Sequence, residues 1–199
     1  MTYLISLHGI NNSGKTTQAR LLKERLSATL GSTKIEIVTF GQTVLLESVV
    51  AQITLGDYSS LENSLSSLLS EQEQLKQKVQ SSLDIGNIVI LPWVCDPAIV
   101  KFVVDRHQNP EAQFDFATVM GDSIFCLDVA SVVSRRRGES VNSISSLPLG
   151  VTGLYIRWSN EFPGKIERIN ANSSIDRVAS QIWNCVEPRI VSLTSSQVS

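Results

Sequence analysis

Four residues of this chain have the types and spacing that suit them to hold a phosphate group. Gly9, Gly14, Lys15 and Thr16 satisfy the pattern G-x-x-x-x-G-K-[ST]. The glycines let the backbone turn sharply and approach an anion closely, so that successive N–H groups at a helix start can point at phosphate oxygens. Lys15 has the charge and reach to neutralise the outer phosphates of a nucleotide, and the Thr16 hydroxyl is the expected Mg²⁺ ligand. Asn11, Asn12 and Ser13 within the loop and Thr17 just after it complete the candidate binding set. The alternative is a glycine-rich turn before an ordinary helix, and the flanking elements decide between the two.

A phosphate-binding loop needs a buried strand before it and a helix after it. Tyr3 to His8 is a short apolar run suited to a strand, and beyond the loop Ala19, Leu22 and Leu26 recur at helical spacing. Gly31 is a natural stop. Lys34 to Phe40 alternates and is β-branched, which predicts a second strand and hence a βαβ unit with a parallel sheet. Thr43 to Leu55 and Ser60 to Leu83 keep helical spacing through Leu61, Leu65, Leu68, Leu69, Leu75 and Val79. The run Glu71-Gln72-Glu73-Gln74 inside the second segment reads first as a solvated face, with one or two of its side chains lining the acceptor cleft as the competing reading. Ile88 to Leu91 is a continuous apolar run, as buried parallel strands require. Its end, Pro92-Trp93-Val94-Cys95-Asp96-Pro97, falls where open α/β sheets hold ligands.

The remaining pattern supplies helices over 98–106, 111–120 and 154–162, strands over Ser123 to Val129 and Lys165 to Asn170, and a basic-ended helix over Val132 to Gly138. The final helix is expected from Ser174 to Val191, with Ser173 or Ser174 as its N-cap and Asp176 in its first turn. The expectation is one P-loop NTPase domain over 1–193, a three-layer α/β sandwich with a five-stranded parallel sheet and helices on both faces. A short lid is expected near 138–150 and a flexible tail over 194–199.

Composition bounds the function. At 199 residues, with 42% hydrophobic and 18% charged side chains, the chain is globular and large enough for one sizeable core. A formal net charge of −2 gives no basic footprint, so duplex nucleic acid is not an expected partner. The three cysteines, Cys95, Cys126 and Cys185, lack C-x-x-C pairing and read as buried thiols rather than a zinc site or disulfide framework. Neither a signal peptide nor a membrane span is read, which predicts a cytoplasmic protein with no membrane partner.

The run Ile5-Ser6-Leu7-His8-Gly9-Ile10-Asn11-Asn12-Ser13-Gly14-Lys15-Thr16-Thr17-Gln18 resembles the opening of thymidylate kinases. Further similarity follows in the family's order: the glycine-led third strand from Gly86 to Leu91, the Leu127-Asp128-Val129 strand end before an arginine-bearing helix, a lid-like loop, and Ile166-Glu167-Arg168-Ile169-Asn170-Ala171 before a final helix. The resemblance implies transfer of the γ-phosphoryl of MgATP to a deoxynucleoside monophosphate, dTMP in the type case, with ATP and Mg²⁺ required. It implies that Asn170 lies beside the adenine and that one of Arg135, Arg136 and Arg137 approaches the transferred phosphoryl; dipole compensation at a helix end is the plainer reading of those arginines. Thymidylate kinases are commonly homodimers, and the apolar helical stretch between Val44 and Leu69 is the candidate interface.

The acceptor side departs from that family. Its third strand usually ends in Asp-Arg-Tyr, where this chain has Pro92-Trp93-Val94. Its Arg-Glu-Pro segment is replaced by Phe40-Gly41-Gln42-Thr43, and an arginine of its middle helix by a glutamine near Gln72 or Gln74. These changes remove charge-assisted contacts to an acceptor phosphate. Asp96 is the candidate displaced carboxylate, and Lys101 or Arg106 a displaced cation, while Trp93 suits either core filling or base stacking. Three readings stay open: a nucleoside monophosphate kinase, an ATP-binding protein without turnover, and a kinase for a nucleoside or other small hydroxyl acceptor, with Glu71 or Asp96 as the base.

Overall fold

A computed structural model describes residues 2–9, 12–31, 33–39, 52, 61–92, 105, 121–130, 133, 136–137, 159–160, 164 and 166–195. The expected helices over 43–55, 98–106, 111–120 and 154–162, the lid over 138–150, and Asn11, Trp93, Cys95, Asp96, Lys101, Arg106 and Arg135 lie outside these residues, apart from positions 52, 105 and 159–160.

Strands β1 (Tyr3–His8), β2 (Ile35–Ile37), β3 (Ile88–Pro92), β4 (Ser123–Asp128) and β5 (Ile166–Asn170) form one sheet in the order β2-β3-β1-β4-β5. Every pairing is parallel. β1 is therefore the middle strand, and all six of its residues are buried. A strand covered on both faces must be apolar on both, which explains the continuous rather than alternating runs of β1 and β3.

Three long helices cover the sheet: α1 (Lys15–Leu30), α2 (Leu61–Asp84) and α3 (Ile175–Ser195). Alternate strand residues pack on opposite faces. Tyr3, Ile5, Leu7, Ile88, Ile90, Phe125, Leu127 and Ile169 meet Ala19, Leu22 and Leu26 of α1 and Val178, Ile182, Val186 and Ile190 of α3. Leu4, Val89 and Leu91 turn the other way, onto Leu75 and Val79 of α2, with Val38 in the same cluster. The expected layers, helix on sheet on helix, are thus present. Truncating one of these side chains, Leu22 for instance, typically costs about 2–5 kcal/mol.

Several boundaries move. β2 is limited to three residues, against an expected run from Lys34 to Phe40, because an edge strand has a partner on one side only; Val38 still donates its N–H to Ile90 O at 3.0 Å. α3 runs on to Ser195, four residues past Val191, taking in the first two positions of the expected tail. Its N-cap is Ser174, whose Oγ accepts the Arg177 N–H at 3.4 Å. Gly31 ends α1 at a φ of 59° and donates its N–H to Ser27 O. Of the two described cysteines, Cys126 is fully buried but Cys185 is only half-buried.

Within α2, Leu61, Leu68, Leu75 and Val79 are buried while Leu65 and Leu69 are half-buried. The acidic-amide run divides: Glu73 and Gln74 face solvent, but Gln72 is buried, which corrects the reading of the whole run as a solvated face. Gln72 stands four residues after Leu68 and three before Leu75, in line with the inward stripe.

Candidate functional site

The loop after β1 leaves the centre of the sheet at its carboxyl end and folds back over it. Gly9 sits at a φ of 149°, and a Cβ there would meet Ser13 Oγ at 2.7 Å and Leu127 O at 2.8 Å. Glycine is required at this point by space as well as by conformation. Asn12 has a φ of 59°, a left-handed conformation that asparagine tolerates better than most side chains. Gly14, at φ 100°, is the N-cap of α1.

Among the described residues no side chain caps the start of α1, and no acidic residue lies in its first turn. The partial positive charge of such a helix end favours an anion there. Lys15 adds a full charge. Its ammonium is buried, donating to Gly9 O at 2.9 Å and lying 3.5 Å from Ser13 Oγ. Burial lowers its pKa from 10.5 to about 8, with a smaller opposing effect from Cys126. Behind the loop, His8 is wholly buried and held neutral, its pKa lowered to about 3 by desolvation and then by Lys15. Cys126, in register with His8 across the sheet, is pushed up to about 12, chiefly by burial and then by Asp128, so its thiol stays protonated.

A cavity of about 420 Å³ opens in front of this loop. Asn12, Ser13, Gly14, Lys15, Thr16 and Thr17 line it from the loop and the start of α1. Ala171, Ser173, Ile175 and Val178 line it from the β5–α3 turn and the first turns of α3. Arg137 and Gln18 complete the wall. Thr16 is exposed, with its side chain open to this space. The lining thus mixes polar groups of the loop with the apolar side chains of Ile175, 57% exposed, and Val178.

The far wall is tied down by hydrogen bonds. Ala171 donates its N–H to Asp128 O at 2.8 Å, and Ala130 N–H reaches Asn172 Oδ1 at 2.8 Å. Arg137 donates Nη2 to Ala171 O at 2.8 Å, which holds its guanidinium against the cavity. Asp128 accepts from Arg168 Nε at 2.8 Å and forms an ion pair with it at the ends of β4 and β5.

The expected residues are therefore gathered in part. Asn12, Ser13, Gly14, Lys15, Thr16 and Thr17 line the cavity, and Gly9 closes the loop beneath them. Asn170 stands at the end of β5, but its Oδ1 accepts from Asn172 N and Nδ2, both at 3.1 Å, and shapes the turn, while its neighbour Ala171 lines the cavity. Arg136 is exposed and is not part of the lining; Arg137, one residue on, is. Gln18, Ser173 and Ile175 carry no sequence signal as site residues. Their role depends on α3 returning to α1 across more than 150 residues, as the bond from Gln18 Nε2 to Ile175 O records.

The donor set suits a polyphosphate with a bound Mg²⁺: one buried ammonium at the start of a helix and an exposed Thr16. Among the described residues no cluster of three or more histidines, cysteines or carboxylates offers a protein-only metal cage. Also among them, no helix is long and apolar enough to cross a membrane.

No protein-family model matches the sequence. Individual proteins do. A thymidylate kinase of Synechococcus sp. (strain JA-3-3Ab) is 27% identical over 94% of this chain and 96% of its own length. Those of Syntrophotalea carbinolica and Orientia tsutsugamushi are 24% and 23% identical, each over more than nine-tenths of both chains. Among solved structures, thymidylate kinase from Ehrlichia chaffeensis superposes with a TM-score of 0.58, covering 93% of this chain and 98% of that one at 21% identity. The overlap is near-complete in both comparisons: in sequence and in fold the chain is thymidylate kinase-like.

Proposed function

We propose that this protein is a nucleotide kinase that transfers the γ-phosphoryl of ATP to a nucleoside or deoxynucleoside monophosphate, dTMP by resemblance. The observation that carries this reading is the mixed lining of the cavity. The loop around Lys15 and the residues Ala171, Ile175 and Val178 share one space of about 420 Å³. A nucleoside triphosphate has both a phosphate chain and a base to offer such a lining.

In this reading the loop amides and the first turn of α1 bind the phosphates, and the Lys15 ammonium exchanges Gly9 O for a phosphate oxygen. The Thr16 hydroxyl holds Mg²⁺, which supplies charge neutralisation at the phosphates when bound. The base lies between the Ile175–Val178 surface and the Arg137 guanidinium, whose planar group stacks well on a ring. Arg136, with Arg135 and the lid, would act on the transferred phosphoryl. Asp96 remains the candidate acceptor-side carboxylate. Phosphoryl transfer requires positioning and charge stabilisation more than covalent chemistry, and the donor side is equipped for both. We place the protein in the cytoplasm, acting on free nucleotides as a homodimer, with neither duplex nucleic acid nor membrane as a partner.

A coupled assay of ADP release over a panel of nucleoside monophosphates tests the reading. Stimulation by dTMP or another monophosphate supports it, and no stimulation by any acceptor counts against it. One observation favours a second reading, ATP binding without turnover: β3 ends in Pro92, in register with Leu7 beside the loop, where the resembled family usually has an aspartate and an arginine. Calorimetric binding of MgATP without detectable transfer would select it.

A further inference from the structure

Asp128 and Arg168 form an ion pair at the carboxyl ends of β4 and β5, Arg168 Nε donating to Asp128 Oδ2 at 2.8 Å, and neither residue lines the cavity. The groups bonded to this strand end do line it. The Asp128 carbonyl accepts the Ala171 N–H at 2.8 Å, and the Ala171 carbonyl in turn accepts Arg137 Nη2 at 2.8 Å. Two residues on, Ala130 donates its N–H to Asn172 Oδ1 at 2.8 Å and accepts the N–H of Val133 at 2.9 Å, which like Arg137 is helical. Arg137 is thus tied to the end of β4 through its guanidinium as well as through its own chain. The same strand end abuts the loop, since a Cβ on Gly9 would lie 2.8 Å from Leu127 O. Asp128 and Asn170 are the last rung of the β4–β5 ladder, and Arg168, in register with Cys126, reaches Asp128 diagonally across it. The ion pair therefore closes the sheet at the point from which the cavity wall is hung.

We infer that Asp128 and Arg168 are positioning residues for nucleotide binding: their ion pair fixes the Ala171 carbonyl that anchors Arg137, and so holds that guanidinium against a nucleotide bound by the loop. This rests on the reading of the cavity as a nucleoside triphosphate site. With Arg168 48% and Asp128 23% exposed, the pair adds little to folding on its own, because solvent screens it and ordering two side chains offsets the attraction. Its leverage comes from its place. A shift at the last rung moves the Ala171 carbonyl, and the Arg137 guanidinium moves with its acceptor. Coupling of this kind runs through contiguous bonds and is measured as non-additivity between substitutions.

The test is calorimetric binding of MgATP to the full chain and to Arg168→Met, Asp128→Asn, Arg137→Ala and the double variant Arg168→Met/Arg137→Ala. Arg168→Met keeps the apolar stem and removes every donor, while Asp128→Asn keeps the shape and removes the charge. Each is expected to raise Kd about threefold, the scale of a partly exposed ion pair. In the Arg137→Ala background Arg168→Met should change Kd no further, because the pair acts through Arg137. An unchanged Kd in both Arg168→Met and Asp128→Asn, whatever their melting temperatures, would make the pair a brace of the fold only and overturn the inference. A full threefold effect of Arg168→Met in the Arg137→Ala background would mean that the pair acts by another route and would overturn it equally. Failure of the wild-type chain to bind MgATP would instead overturn the reading of the cavity, and this inference with it.

Discussion

Lys15 and Gly9 are joined across the loop that separates them, the ammonium of one donating to the carbonyl oxygen of the other at 2.9 Å. The loop so closed holds its own charge in a desolvated place. A phosphate entering the cavity offers that ammonium a better acceptor than a neutral carbonyl, since charge-assisted bonds are the stronger kind. Binding is then an exchange of partners, and its energetics can be read in Lys15 alone.

Removing the charge should separate binding from stability. Lys15→Met is expected to weaken MgATP binding by about 10- to 100-fold, the range for loss of hydrogen bonds to a charged group. The same substitution should leave the melting temperature unchanged or raise it, because burial disfavours the ammonium. Calorimetry and thermal melting on one preparation measure both.

The lowered pKa of Lys15 gives pH effects of opposite sign on folding and on binding. The folded value, about 8, lies below the ordinary 10.5. Between these the unfolded chain carries more protons, so this group makes the free protein more stable as pH rises through the window. A bound phosphate draws the pKa back up, so binding takes up a proton and affinity falls as pH rises above about 8, by at most about tenfold per unit. Calorimetry in buffers of different ionisation enthalpy counts the proton; an affinity flat across the window would contradict the assignment.

Gly9→Ala should be costlier than Gly86→Ala. Its new methyl would meet Ser13 Oγ and Leu127 O within 2.8 Å, both beneath the loop. Overpacking of this kind typically costs about 1–3 kcal/mol, beyond the backbone strain. Gly86→Ala, at φ +87° with nothing nearby, bears the strain alone, about 1–2 kcal/mol. Denaturant melts of the two variants give the difference directly.

The neighbouring arginines should behave differently. Arg137, anchored on Ala171 O at the cavity wall, is expected to matter for ground-state binding of ATP, with Arg137→Ala raising Kd about fivefold to tenfold. Arg136→Ala should leave that Kd unchanged, since Arg136 does not line the cavity. Any effect of Arg136 belongs to the rate of transfer, and single-turnover kinetics would show it.

How far the sequence could be read depends on how local each feature is. β1, β3 and the start of α2 are legible within a residue or two because an uninterrupted apolar run bounded by glycine or polar residues has one physical solution, a buried strand or helix face. The loop is legible because its glycines and lysine answer a need set within eight residues. Gln72 was signalled by its distance from Leu68 and Leu75, although the charge run around it pointed outward. The choice among Arg135, Arg136 and Arg137 was not legible: successive helix positions point about 100° apart, and which one meets the cavity depends on where the β5–α3 turn lies. Asn170 and Ala171 show the same limit, since adjacent residues at a strand end face opposite ways and the turn that follows decides which one the ligand meets.

The middle position of β1 also bears on how such a protein can change. Substitutions that reshape the loop must be absorbed by a strand flanked on both sides by others and sealed by helices above and below, so the grip on a phosphate donor can be lost outright more readily than it can be retuned. The end of β3 opens into residues that do not build this loop, and there replacements such as Pro92 can accumulate without unseating Lys15. In the kinase reading proposed above, a scaffold arranged in this way could exchange one phosphoryl acceptor for another while its donor stays the same.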